Sequence, residues 1–310
     1  MTQDVVYYRS LGSFLREQYG GKLYKLALDG GFSCPNRDGT LDTRGCSFCL
    51  SGSGAFSDTT GLLSPEDSEE LYQKAVWAAI EKGKDRVRVK ADGSGYIAYF
   101  QRYTCTYAPL PKLKKLYSAA LSHPDIRILS IGTRPDCLPE ETLRLLSALN
   151  RIKPVWIELG LQTIHEETAR RIRRGFPLPV FDDAVQRLKA AGIYTIVHMI
   201  IGLPGETPEM IRETADYIGK SGADGIKLQL LHILKGTDLA EEYLREPFPL
   251  PSPEEYVQLL SACISVLPDR MTVHRLTGDG AKKDLIAPLW SADKKRVLQQ
   301  ISESLKPRAD

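Results

Sequence analysis

The chain has 310 residues, 42% apolar and 26% charged, the proportions of a soluble globular protein with a sizeable core. A net charge of +2 sets up no global field announcing nucleic acid, so local clusters must carry any such partner. No apolar run approaches the ~20 residues of a membrane span and no charged-then-apolar leader opens the chain; the expected location is cytoplasmic with no membrane partner, where closely spaced cysteines point to metal or catalysis before redox thiols or a disulfide.

Residues 5 to 20 predict a short helix stopped at Gly20-Gly21, and Lys22 to Leu28 the first core strand. Cys34, Cys46 and Cys49 follow, three of the six cysteines within sixteen residues. Pro35, Asn36, Asp38, Gly39, Asp42 and Gly45 lie between them, so the thiols sit on a loop at a strand's end. Thiolates grouped this way hold a soft metal or an iron–sulfur cluster. Four would close a structural zinc site, whereas three leave one coordination position open for chemistry.

Ser51 to Ser57 is a Gly-rich linker. Ser64-Pro65-Glu66 predicts an N-cap with proline at the first helical position, opening a helix from about Glu66 to Lys82. Strands then follow at 96–101, 126–132, 155–161, 194–201 and 225–231. Helices separate them at 112–122, 139–150, 166–174, 181–191 and 208–221. This alternation predicts parallel βαβ units. Six of them make an α/β fold, a partial (β/α)6 TIM-like barrel, and a whole barrel typically takes ~250 residues. Pro247 to Pro253 breaks into a mostly helical tail. The predicted organisation is an N-terminal extension over 1–21, the barrel over 22–235, and a C-terminal extension over 236–310 that caps the substrate side.

In such barrels the reactive groups gather where the strands end. The cysteine loop ends the first strand, Gln101-Arg102-Tyr103 the second, and Thr133-Arg134-Pro135-Asp136 the third. Glu158 and Gln162 belong to the fourth. His198 lies in the fifth, which Gly202-Leu203-Pro204-Gly205-Glu206 follows, and Gln229 and His232 belong to the sixth. Each alone has a plainer meaning. Glu158 fits a buried, paired carboxylate, His198 a hydrogen-bonded core histidine, and 202–206 a turn. Their convergence on one barrel end supports a shared cavity. Cys105 and Cys137 are a fourth ligand, a reactive thiol or small buried residues, and Cys263 is core.

The three clustered cysteines, with Phe48 just before the last, resemble the radical S-adenosylmethionine (SAM) enzymes. The first gap is eleven residues where that family commonly has three, while Cys46-Ser-Phe-Cys49 keeps the usual two. Cys34-Pro-Asn-Arg-Asp-Gly-Thr, Phe100-Gln101-Arg102-Tyr103, Gly132-Thr133-Arg134-Pro135-Asp136, Glu158-Leu-Gly-Leu-Gln162-Thr, His198-Met-Ile-Ile-Gly-Leu-Pro-Gly-Glu206 and His274-Arg275-Leu-Thr-Gly-Asp279 resemble the YtqA- and YhcC-type branch, related to the catalytic subunit of elongator. The resemblance implies a [4Fe–4S] cluster on Cys34, Cys46 and Cys49, with SAM on the open iron. It places Phe48 against adenine, Gln101 and Thr133 along the methionine or ribose, and Arg134 on the SAM carboxylate. It places Glu158 on the ribose hydroxyls, Gln162 and His198 beside it, and the Gly202 to Pro204 turn at the adenine edge.

Arg170-Arg171-Ile-Arg173-Arg174 and the Lys82 to Lys90 stretch are basic enough to neutralise phosphates, with a solvated face as the plainer meaning. Relatives of the elongator subunit act on the wobble uridine of tRNA. The resemblance therefore implies a tRNA partner, the carboxymethylaminomethyl group on C5 of that uridine as the site of change toward aminomethyl, and a flavodoxin- or ferredoxin-type reductant. Arg275, Asp279, Lys282 and Lys283 are expected in a cap over the pocket. The alternatives are a radical SAM enzyme acting on a small metabolite or protein, and a non-catalytic zinc-binding RNA adaptor.

Overall fold

Val6-Tyr-Tyr-Arg-Ser10 is where sequence and structure first part. The computed structural model, which describes residues 6–50, 57–58, 63–88, 95–278 and 282–307, splits the helix expected over 5–20. Strand β1 (Val6–Ser10) comes first and helix α1 (Leu11–Tyr19) second. Valine and tyrosine suit a pleated surface. The Ser10 side chain accepts from the Ser13 N–H and starts the helix, and left-handed Gly20 ends it.

Strand β2 (Tyr24–Asp29) precedes the cysteine loop, and β3 (Ser57–Asp58) follows it; most of the expected Ser51 to Ser57 linker lies outside the described residues. Helix α2 (Glu69–Val87) is capped by Ser68. The cap expected at Ser64 is instead a turn, in which the Ser64 N–H donates to the Asp67 carboxylate at 2.6 Å. Then come β4 (Tyr96–Phe100), α3 (Leu110–Ser122), β5 (Ile126–Thr133), α4 (Glu140–Asn150), β6 (Val155–Gln162) and α5 (Glu166–Arg171). Helix α6 (Leu178–Ala190), β7 (Tyr194–Ile201), α7 (Pro208–Lys220) and β8 (Gly225–Leu230) complete the repeat. The six expected core strands pair in the expected order, all parallel.

The C-terminal region is helical in α8 (Asp238–Arg245), α9 (Pro253–Ile264) and α10 (Lys294–Ser304). It also holds strands that the sequence hid. The short pair β9 (Ile233–Leu234) and β11 (Leu285–Ala287) is antiparallel. Strands β10 (Thr272–Arg275) and β12 (Leu305–Pro307) join the main sheet, whose order is β12-β1-β10-β8-β7-β6-β5-β4-β2-β3. Strands from 1–21 and from 236–310 thus extend the same parallel sheet as the barrel.

Side chains alternate between two faces of each strand. The outer faces bury the main apolar cluster against the helices. On the inner face Leu23, Ile97, Ile128, Trp156 and Ile196 pack with Leu15, and Phe14 and Tyr19 of α1 close over them. Each buried leucine or isoleucine of this kind contributes about 1.5–3 kcal/mol. The first helix therefore plugs the end of the lumen where the strands begin. Two residues further along each strand the inner face turns polar. Two further still it narrows to Ala27, Gly132 and Gly160, which leave room at the end where the strands finish.

Candidate cluster and cofactor site

The cysteine loop is closed mainly by its own backbone. Arg37 and Asp38 donate to the Cys34 carbonyl (2.8 and 3.2 Å), Leu41 to that of Pro35 (2.8 Å), Gly45 to that of Asn36 (2.6 Å) and Cys49 to that of Cys46 (2.9 Å). The long gap between the first two cysteines is thus a lobe folded back on itself. Gly45 has φ 79°, and a Cβ there would meet the Arg37 guanidinium at 2.7 Å, so the closure needs glycine. Asn36, 1% exposed, donates to Cys46 Sγ at 3.4 Å and to the Arg173 carbonyl at 2.8 Å.

That last bond changes the meaning of the arginine-rich segment. The helix expected over 166–174 stops at Arg171, and Arg173 takes a left-handed φ of 54°. Its Nε donates to the Gly45 carbonyl at 2.8 Å and its NH2 to Asp238 at 2.5 Å. Arg174 is 2% exposed and donates to the carbonyls of Thr163 (2.6 Å) and Phe176 (3.0 Å) and to Glu166 (2.9 Å). Arg171 pairs with Glu242 at 2.5 Å. The expected phosphate patch is therefore two internal braces, Arg173 and Arg174, plus exposed Arg170 and an exposed Arg171 paired with Glu242. The second basic stretch fares no better. Lys84 holds Glu81 and Asp125 (2.9 and 2.6 Å), Val89 to Lys90 lie outside the described residues, and the end of α2 sits where the strands begin, opposite the thiols.

Cys34, Cys46 and Cys49 are partly exposed, whereas Cys105, Cys137 and Cys263 are buried. Cys105 donates to the Arg102 carbonyl at 3.2 Å, and burial pushes the thiols of Cys137 and Cys263 up to about 12. The bland meaning of those three holds. Burial, reinforced by neighbouring Cys49 and opposed by Arg134, lifts Cys46 to about 11. Among the described residues one trio of His, Cys or carboxylate ligand atoms lies within 4.8 Å of one another, Glu81, His123 and Asp125. The three loop thiols therefore do not all lie within 4.8 Å of one another.

Arg134 has committed three of its five N–H groups within the protein. Its Nε and NH2 form a two-point fork on Asp136 (2.9 and 2.7 Å), and its NH1 donates to the Arg174 carbonyl (2.8 Å). Thr133 is similarly committed: its hydroxyl lies 2.5 Å from that of Thr106, inside the protein. Both residues thus already have partners within the protein, beside the loop.

The middle layer of the lumen is one hydrogen-bonded set centred on Glu158. Its Oε1 accepts from Lys25 Nζ and Ser130 Oγ, both at 2.8 Å. Its Oε2 accepts from Tyr99 OH (2.6 Å), pairs with His198 Nε2 (2.7 Å) and contacts Lys227 Nζ. Glu158 is wholly buried. Burial alone would raise its pKa, but Lys227, Lys25 and His198 together hold it well below the carboxylate range. A carboxylate with five partners has no capacity for ribose hydroxyls, so the ribose contact expected of Glu158 is corrected to a buried pairing. His198 belongs to the same set; burial and Lys227 lower it to about 4. Burial also lowers Lys227, against the pull of Glu158. Both ammoniums lie 4.6 Å from the Tyr99 ring centre, and Arg275 of β10 stands beside Lys227 in register. Lys25, Tyr99, Ser130 and Lys227 were missed from sequence. Their signal is a polar residue at every second position of otherwise apolar strands.

Above this layer Gln162 takes φ 70° where the β6–β7 register shifts, and its buried Oε1 has no partner. A strained residue with an unanswered acceptor at a strand end marks a place built for a ligand. A Cβ at Gly160 would crowd its amide at 2.9 Å. Gln101 is half-buried nearby, its Cα 3.4 Å from a Cβ at Gly132. The turn holding Gly202 (φ 91°) and buried Pro204 runs to Glu206, which accepts from Thr163 at 2.5 Å. Leu203 of that turn shares an apolar cluster with Phe48 and Ile286. Gln162, Gln101 and the 202–204 turn thus stand at strand ends, and Phe48 of the cysteine loop joins the apolar cluster of Leu203. This donor set fits a three-thiolate cluster and an amphipathic cofactor next to it. Asp279 lies outside the described residues.

The sequence matches the family model "Radical SAM superfamily" over residues 43–218 and "Radical_SAM C-terminal domain" over 223–307. The first match begins after Cys34, where the gap departs from the common spacing. The uncharacterized protein YtqA of Bacillus subtilis is 40% identical over 97% of this chain and 90% of its own. A tRNA uridine(34) acetyltransferase of Methanocaldococcus infernus is 28% identical over 49% of this chain and 28% of its own length. The structure of an archaeal Methanocaldococcus infernus Elp3 superposes with a TM-score of 0.63 at 18% identity, over 88% of this chain and 63% of that one, which supports the fold.

Proposed function

The chain belongs to the radical SAM superfamily, and from that premise we propose that it modifies the C5 side chain of wobble uridine in tRNA, taking a carboxymethylaminomethyl group toward aminomethyl. As a family member it is an enzyme whose cofactors are a [4Fe–4S] cluster and SAM. Held by Cys34, Cys46 and Cys49, a reduced cluster would supply the single electron for reductive cleavage of SAM. Gln162, Gln101, Phe48, Gly202 and Pro204 border SAM, with the Gln162 Oε1 answered on binding.

The observation that carries the substrate reading is the charge of the lumen. Two lysines and Arg275 face one carboxylate, and Lys25 is 22% exposed while giving one N–H to Glu158. An anionic side chain entering from the open end meets cationic donors fixed in place. The carboxylate of the modified uridine supplies such an anion, and a base in an anticodon loop is single-stranded and can be splayed into a pocket. The relative named for uridine 34 of tRNA supports the same substrate class. A flavodoxin- or ferredoxin-type protein of the cytoplasm is the proposed reductant, and no helix among the described residues is long and apolar enough to cross a membrane.

The test is nucleoside analysis of tRNA from a deletion strain, paired with an anaerobic assay of the reconstituted enzyme. The strain is expected to accumulate carboxymethylaminomethyl uridine. An unchanged wobble-uridine profile refutes the substrate, while SAM cleavage without a cluster-dependent tRNA product redirects the search to small molecules or proteins.

A further inference from the structure

Of the basic residues that the sequence offered for RNA, Arg173 and Arg174 are consumed inside the protein and Arg171 is held at the surface by Glu242. A different set is not. Lys282, Lys283, Lys295 and Arg296 are all exposed, and among the described residues none of them forms an ion pair with a carboxylate. Lys282 and Arg296 line one groove of about 630 Å3 together with Leu289, Trp290 and Gln300. Asp293, the carboxylate in its wall, accepts from the Arg296 N–H as the cap of α10.

The groove carries a fixed aromatic wall. The Trp290 indole N–H donates to the Pro251 carbonyl at 3.1 Å, and its ring packs 5.8 Å from that of Tyr256. Leu289 beside it is 70% exposed. Anchored indole, exposed leucine and unpaired cations together make the surface that takes single-stranded nucleic acid, with bases stacked and phosphates neutralised.

Topology puts the groove at the reactive end. Helices α9 and α10 lead into β10 and β12, which run parallel to the barrel strands. Each helix therefore runs back along the sheet and begins where the strands finish, and Pro251, just before α9, lies 3.1 Å from a Cβ at Gly202 at the end of β7. The link is direct: β11 lies between Lys282 and Trp290, pairs with β9, and puts Ile286 in the apolar cluster that holds Phe48.

We propose that this groove docks the single-stranded loop of the RNA substrate, with phosphates on Lys282 and Arg296 and a base against Trp290. The inference rests on the tRNA reading above and gives it a docking surface. The probe is a fluorescein-labelled anticodon stem-loop RNA titrated with reconstituted holoenzyme, read by anisotropy across a salt series. Lys282→Glu combined with Arg296→Glu is expected to weaken binding at least about tenfold, and to flatten the slope of log affinity against log salt by about 0.7 for each phosphate no longer neutralised. Trp290→Ala is expected to weaken it about tenfold and Trp290→Phe to restore most of that. Lys82→Glu with Arg86→Glu, at the opposite end, is expected to leave affinity unchanged. Thermal midpoint and cluster absorbance report that each variant is folded. Wild-type affinity and slope in the charge-reversed variant overturn the proposal while the RNA substrate stands. So does loss of flavodoxin-driven cluster reduction with RNA binding intact, which gives the groove to the reductant. No RNA binding by the unmodified holoenzyme overturns the substrate reading as well.

Discussion

The lumen layer and the cysteine loop lie in one barrel and are built in opposite ways. Around Glu158 side chains do everything: five of them, from five strands, satisfy both carboxylate oxygens. In the loop the backbone closes the structure, and the side chains that matter, the three thiols, are left available. A network this nearly saturated holds the strands in fixed relation and leaves only Lys25, 22% exposed, with donors to spare for a ligand. An unsaturated one, braced from within by Asn36 and from outside by Arg173, waits for its ligand. Polar residues at strand ends thus divide into framework and site by whether their bonding capacity is already used.

The sharpest break is at the thiols. Cys46→Ala is expected to abolish the cluster's absorbance after anaerobic reconstitution while Cys263→Ala retains it, and equal loss in both refutes the ligand set. Next comes the framework. Glu158→Gln leaves Lys25 and Lys227 facing one another uncompensated, and chemical denaturation of the cluster-free protein should show about 3–5 kcal/mol lost. Loss of SAM affinity with stability unchanged would instead make Glu158 a ligand.

His198 sets a pH dependence of somewhat smaller size. Its folded pKa of about 4 lies below the ordinary 6.5, so the unfolded chain binds its proton first. This contribution is complete above about pH 6.5 and falls away as pH drops toward 4, a loss of order 3 kcal/mol. A thermal-midpoint profile should flatten across that window in His198→Gln. Arg173→Ala removes a loop brace and is expected to cost about 1–2 kcal/mol, with faster cluster bleaching in air. Arg170→Ala marks the floor, with stability within about 0.5 kcal/mol of the parent; a larger drop would show that the arginine segment has a third brace.

The barrel was legible because its apolar runs are long and evenly spaced by helical stretches. The thiol trio was legible because spacing alone groups it. Strands β10 and β12, four and three residues long, are too short to show a period. The arginine segment misled because nothing in Arg-Arg-Ile-Arg-Arg signals that residue 173 turns left-handed and aims the chain inward. Glu158 was visible as a polar residue in a strand, but its five partners lie as far away as Lys25 and Lys227 in the chain. Alternation along each of those strands held the clue, since Lys25, Tyr99, Ser130, Glu158 and His198 each stand two residues past a member of the apolar plug.

Strand β1 lies between β10 and β12, with Arg9 opposite Thr272 and Val6 opposite Leu305. Some 260 residues or more of chain separate it from both neighbours. At ~5–20 residues per second, it is without a partner for roughly 15 to 50 s of synthesis. Through that interval Val6, Tyr7 and Tyr8 are an unpaired β-forming segment of the kind that nascent-chain chaperones shield, and this part of the sheet closes only after β10 and β12 have been made.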